Sequence, residues 1–209
     1  MVEENEQAEA PPSRCILVLG TGRSGTSAVG GILYKLGVWM GDGFVGRDNT
    51  NPWGTFEDAE LFYITRQMKS GILKPEAYGP QIERRNQRPV WGWKDPGLVW
   101  TLEHALPYFE DVRAVFVHRP RGESIMSARK AYNWSAEQAA NWYDTTEEQV
   151  LRWASELADL NLATHHMAWS GILDDPQMAV KVLAQFAYEG TEYQPTSKQL
   201  KAAERHVRR

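Results

Sequence analysis

The segment Gly20-Thr21-Gly22-Arg23-Ser24-Gly25-Thr26-Ser27 lies between a short apolar run and a helical one. Glycines let a backbone turn its N–H groups toward a bound anion, and the start of a following helix adds partial positive charge. Arg23 supplies a full charge, and Thr26 and Ser27 supply hydroxyls. Gly22, Arg23, Ser24, Gly25, Thr26 and Ser27 are therefore the expected contacts to a phosphate-like group. A nucleoside-triphosphate loop reads Gly-x-x-x-x-Gly-Lys-Ser/Thr, its lysine holding the outer phosphates. Here the spacing from Gly20 to Gly25 fits, but Thr26 stands at the lysine position and the charge has moved back to Arg23. That argues against a nucleotide kinase or triphosphatase.

Three further positions carry chemistry. Arg119 closes an apolar run, and Ser127 follows in the next helix, so a guanidinium and a hydroxyl could converge on one phosphate. Lys94, in Trp-Gly-Trp-Lys-Asp-Pro, offers a cation where a departing phosphate gains charge. The segment Asn51-Pro52-Trp53-Gly54-Thr55-Phe56-Glu57-Asp58 carries two adjacent carboxylates. Thr55 and Asp58 also match a capping box, which would use Asp58 and leave Glu57 free.

Together these segments resemble the PAPS-dependent sulfotransferases, which use 3′-phosphoadenosine-5′-phosphosulfate as donor. Arg-Ser-Gly-Thr-Ser at 23–27 is similar to the loop that grips the 5′-phosphosulfate, and Arg119 with Ser127 to the 3′-phosphate motif. Lys-Asp-Pro at 94–96 resembles tyrosylprotein sulfotransferases and short bacterial relatives, and Asn-Pro-x-Gly-x-x-Glu at 51–57 is similar to a segment of the bacterial members. The resemblance implies sulfuryl transfer without a metal, PAPS as donor, PAP as product, and a hydroxyl or amine acceptor that the sequence does not identify. The resemblance further implies that Lys94 and Arg23 stabilise charge and that Glu57 takes the proton as general base, with Asp58 and His118 as substitutes. The late Arg-Lys-Gly and Gly-x-x-Gly motif of the cytosolic enzymes is missing. A non-catalytic PAP-binding module is the other alternative.

The elements that must position these residues follow from periodicity. Ile16–Leu19, Val90–Lys94, Val112–His118 and His166–Trp169 read as strands. Helical spacing runs through Val29, Ile32, Leu33 and Leu36 and stops at Gly37. Further helices are expected over 58–69, 121–131, 136–161, with Ser135 and Gln138 as capping box, and 176–188; another should start at Asp95-Pro96. Residues 72–88 carry no clear period and read as a substrate-facing excursion. Alternating strands and helices predict an α/β class: a single-domain, P-loop-like three-layer fold with a mostly parallel central sheet. Ligands of such sheets bind beyond the carboxyl ends of the strands, where all three cationic segments fall.

We expect residues 1–13 to form a disordered acidic tail, 14–190 the domain, and 191–209 a tail or short helix. The net charge of −4 argues against nucleic-acid binding, so any anion site must be local. No apolar run is long enough for a membrane span, and the lone Cys15 suits a reducing cytoplasm. Histidine and cysteine spacing suggests no metal site: His165 and His166 would face opposite sides of a strand.

Overall fold

The computed structural model describes residues 11–46, 51 and 54–207. The expected tail therefore lies mostly outside the described residues. Its last residue, Ser13, is buried, with its N–H donating to Glu110 and its hydroxyl to the Arg88 carbonyl.

A parallel sheet of β1 (Arg14–Leu19), β2 (Val90–Lys94), β3 (Asp111–His118) and β4 (Ala163–Ala168) forms the middle layer, in the order β2-β1-β3-β4. Every pairing among the described strands is parallel, so the sheet needs cover on both faces. The period of two along β1 supplies it. Ile16 and Val18 face one apolar cluster, while Cys15, Leu17 and Leu19 face the other. β3 divides the same way, with Val115 and Val117 opposed to Val112, Ala114 and Phe116.

The first face is covered by α1 (Thr26–Leu36), α8 (Pro176–Tyr188) and α9 (Ser197–Val207). The second is covered by α2 (Ala59–Lys69), α3 (Gly79–Arg85), α4 (Leu102–Ala105) and α6 (Ala136–Asp159). α5 (Arg121–Tyr132) links β3 to α6, and α7 (Trp169–Asp174) links β4 to α8. Each fully buried Leu or Ile contributes about 1.5–3 kcal/mol of burial free energy.

Capping follows the sequence in most places. Gly37 ends α1 with a left-handed φ of 100°, Ser135 and Gln138 close a reciprocal box on α6, and Asp175 caps α8. Two expectations change. Residues 72–88 are no excursion: a 3-10 turn (Pro75–Tyr78) and α3 bring Tyr78 and Ile82 into the core. The Tyr78 hydroxyl reaches Thr65 at 3.0 Å and Thr101 at 2.8 Å, which satisfies it there. After Asp95-Pro96 the chain makes a 3-10 turn (Leu98–Trp100) before the short α4, and the Asp95 carboxylate accepts from the Gly97 N–H. The segment after Gly190 carries α9, which packs along α1.

β1 lies between β2 and β3, so the chain leaves it first to one side and then to the other. Ligand crevices open at such a reversal, at the carboxyl ends of the strands. Three segments emerge there: the glycine loop after β1, Lys94 closing β2, and Arg119 after β3.

Candidate active site

The glycine loop is shaped by its neighbours as much as by its own residues. Gly25 precedes α1 at φ 105°, and a Cβ at that position would collide with the Trp169 ring. Only glycine satisfies both conditions. Gly22 is covered by Trp142 of α6, whose ring would stand 2.5 Å from an added Cβ. Arg23 adopts φ 68°, a left-handed conformation that costs a non-glycine residue on the order of 1–3 kcal/mol. Thr26 and Ser27, whose N–H groups at the start of α1 have no intrahelical acceptor, line the crevice. Ser24 differs from its neighbours. It is fully buried, its N–H donates to the Thr21 carbonyl, and it lines neither side of the crevice. Its side chain lies inside the turn.

Ser27 is where three segments meet. Its Oγ accepts from Lys94 Nζ at 3.1 Å and from Asn51 Nδ2 at 2.9 Å. Lys94 Nζ also donates to Glu57 Oε1 at 2.6 Å, and both side chains of this pair are buried. Burial pushes the Glu57 carboxyl up from its ordinary range by more than the Lys94 ammonium pulls it down, and Asp95 adds to the rise. A carboxyl held this way is easier to protonate than an exposed one, as suits a proton acceptor.

On the other side of the loop, Arg23 Nε donates to Ser127 Oγ at 3.2 Å, while Arg119 Nη1 donates to the Arg23 carbonyl at 3.2 Å. Arg119 also pairs with Glu123 at 3.0 Å and lies over the Trp169 ring, 5.5 Å from its centroid. Two guanidinium groups and a hydroxyl thus converge beside the N-terminus of α1.

Both substitutes for Glu57 are engaged with other partners. Asp58 is itself the N-cap of α2, accepting from the Glu60 and Leu61 N–H groups, and pairs with buried Arg85 at 2.7 Å. The expected capping box is corrected accordingly, since the Thr55 hydroxyl donates to the Val45 carbonyl instead. His118 lies outside the crevice, 2.9 Å from His166 Nδ1 with the two rings parallel, and 4.0 Å from Glu147. Among the described residues no cluster of His, Cys, Asp and Glu could hold a metal.

The crevice has two lobes that share Arg23, Thr26, Ser27 and Asn51. The first, about 330 Å³, adds Arg119, Ser127, Trp169 and His206. The second, about 470 Å³, adds Glu57, Lys94, Arg66 and a wall of Trp100, Trp134 and Trp142.

Comparison with known proteins bears on the fold. No family model matches the chain, and no curated protein matches it. Solved structures do. The sulfotransferase domain of the Synechococcus PCC 7002 olefin synthase aligns with a TM-score of 0.58 at 16% identity, over 93% of this chain and 78% of that one. Sulfotransferase STF9 from Mycobacterium avium aligns at 0.54 and 14%, over 96% and 69%. Sulfotransferase STF1 from Mycobacterium tuberculosis aligns at 0.53 and 14%, over 94% and 72%. The chain has the sulfotransferase fold.

Within that sulfotransferase fold, several crevice residues carried no signal in the sequence. His206 and Val207 reach the first lobe from α9, far along the chain, and no motif marks them. Trp169 and Trp142 are picked out only by the glycines they cover. Asn51 stands inside the Asn-Pro-x-Gly-x-x-Glu motif, and its amide donates to Ser27 of the loop. Among the described residues, no helix of this sulfotransferase fold is long and apolar enough to cross a membrane.

Proposed function

We propose that this protein is a PAPS-dependent sulfotransferase acting on a hydroxyl or amine acceptor. The observation that carries the reading is the junction at Ser27, where Lys94 reaches both the anion loop and Glu57. A cation between a leaving-group cradle and a buried carboxylate is the arrangement that in-line group transfer needs.

The residues present fit such a donor. The first lobe offers Arg119, Arg23 and Ser127 to a phosphate and the Trp169 and His206 rings to a base. The helix start and Arg23 suit the phosphosulfate end. PAPS supplies the sulfuryl group. Glu57 takes the acceptor proton as the acceptor's lone pair forms a bond to sulfur. The bond from sulfur to the 5′-phosphate oxygen breaks, and Lys94 with the loop N–H groups stabilises the electron pair left on that oxygen. The buried lone Cys15 supports a cytoplasmic location.

Titration calorimetry tests the reading. PAP should bind in the absence of metal, more tightly than ATP with magnesium, and labelled PAPS should pass its label to an acceptor library. Tight ATP–magnesium binding with no PAP heat would sink it in favour of a nucleotide kinase or triphosphatase. PAP binding without transfer would reduce the chain to a binding module.

A further inference from the structure

The second lobe has a polarity of its own. α2 leads away from Glu57, and Phe62, Arg66 and Lys69 line the lobe at helical spacing. Arg66 and Lys69 stand about 12 and 16 Å from Asp58 along the helix axis. The near part of this track is aromatic. Phe62 lines it together with the Trp134–Trp142 pair, whose rings meet edge to face at 5.5 Å, and the Arg66 guanidinium lies over the Phe62 ring, 4.1 Å from its centroid.

The far part is cationic. Among the described residues the lobe is lined by Arg23, Arg66, Lys69 and Lys94, and by the carboxylate of Glu57, which Lys94 already engages. Arg66 donates to both carboxylate oxygens of Asp95, at 3.3 and 3.4 Å, and that carboxylate is fully buried and also accepts from the Gly97 N–H. Lys69 makes no ion pair among the described residues and instead lies over the Trp100 ring, 5.2 Å from its centroid. Burial, followed by repulsion from Arg66, holds the Lys69 ammonium below its ordinary range. In a chain whose net charge is −4, two neighbouring cations at the end of an aromatic trough form a local attractor for a negative group.

We infer that the acceptor is an elongated aromatic compound with its hydroxyl or amine at Glu57 and a carboxylate at Arg66 and Lys69. This rests on the sulfotransferase reading, because that reading makes the second lobe the acceptor side. Its ring lies against the aromatic wall of Trp134 and Trp142. Neutral sugars and neutral polycyclic alcohols leave the cationic end uncompensated and bind less well.

The test uses the whole protein loaded with PAP and pairs of probes, ω-(4-hydroxyphenyl)alkanoates of increasing chain length and their primary amides. Binding is read by calorimetry and by quenching of tryptophan fluorescence, since Trp100, Trp134 and Trp142 line the lobe. One carboxylate of the series should bind about tenfold or more tightly than its amide, a preference weakened by salt. In Lys69→Met the ratio should fall toward unity, with PAP affinity measured alongside to show that the variant is folded. Amides binding as well as carboxylates at every length would overturn the inference. So would an undiminished ratio in Lys69→Met, or no binding of either probe class to protein that binds PAP. Loss of PAP binding by the wild-type protein would instead reject the underlying sulfotransferase reading.

Discussion

Lys94 Nζ stands 2.6 Å from Glu57 Oε1, joining the end of β2 to the residue before the N-cap of α2 in a buried ion pair. Removing either charge strands the other, so the pair couples stability to chemistry. Glu57→Gln keeps the shape and an oxygen acceptor for Lys94. It should retain PAP affinity and lose turnover by about 10²–10⁴-fold, the usual contribution of a general base. Calorimetry and initial rates on one preparation check this, and full activity in the variant would remove Glu57 from the role.

The pH profile follows from the same pair. Burial raises the Glu57 carboxyl, so it takes up its proton at higher pH than an exposed glutamate does. A base must be ionised to act. kcat/KM should therefore rise with pH along an acidic limb displaced above the ordinary glutamate value of about 4.3. The limb should vanish from the residual activity of Glu57→Gln.

Arg23 and Arg119 are expected to hold the donor through charge-assisted hydrogen bonds, each contributing about 1.5–3 kcal/mol. Arg23→Ala and Arg119→Ala should each weaken PAP binding by roughly 10–100-fold. Ser127→Ala, which removes a neutral hydroxyl, should cost less. The contacts Arg23–Ser127 and Arg119–Arg23 make the double variant Arg23→Ala/Arg119→Ala non-additive. Unchanged affinity in both single variants would reject the assignment.

The histidine pair bears on acid stability. Burial lowers His118 and His166 below the ordinary histidine range, so the folded protein holds them neutral. The unfolded chain binds those protons first, and stability should therefore be full above about pH 6.5 and decline as pH falls below it. Thermal melts across that range measure the slope, and His166→Asn should flatten it. An unchanged slope in that variant would assign the acid sensitivity elsewhere.

The strands and the glycine turn between β1 and α1 were legible because each rests on a local rule. Runs such as Ile16–Leu19 are buried on both faces and carry no polar residue, and the glycines of 20–25 mark a turn wherever the chain goes next. Residues 72–88 were misread because a 3-10 turn and the seven residues of α3 are too short for a helical period to emerge. Asp58 was misassigned by one kind of pattern matching another. Thr55-x-x-Asp58 has capping-box spacing, yet the helix begins at Ala59, so Asp58 caps it alone and Glu57 is left to Lys94. Trp169, Trp142 and His206 owe their positions to tertiary packing, which no sequence window contains.

Trp142 sits on Gly22 and forms part of the second lobe, so one indole ring serves as the lid of the loop and the wall of the neighbouring chamber. Such sharing removes the freedom to tune two ligands separately. A substitution chosen to reshape the wall will also change how firmly the loop is held, and a loop that shifts when it is filled will carry the wall with it. Under the proposed function, selectivity for one molecule and grip on the other become a single mechanical property of this ring.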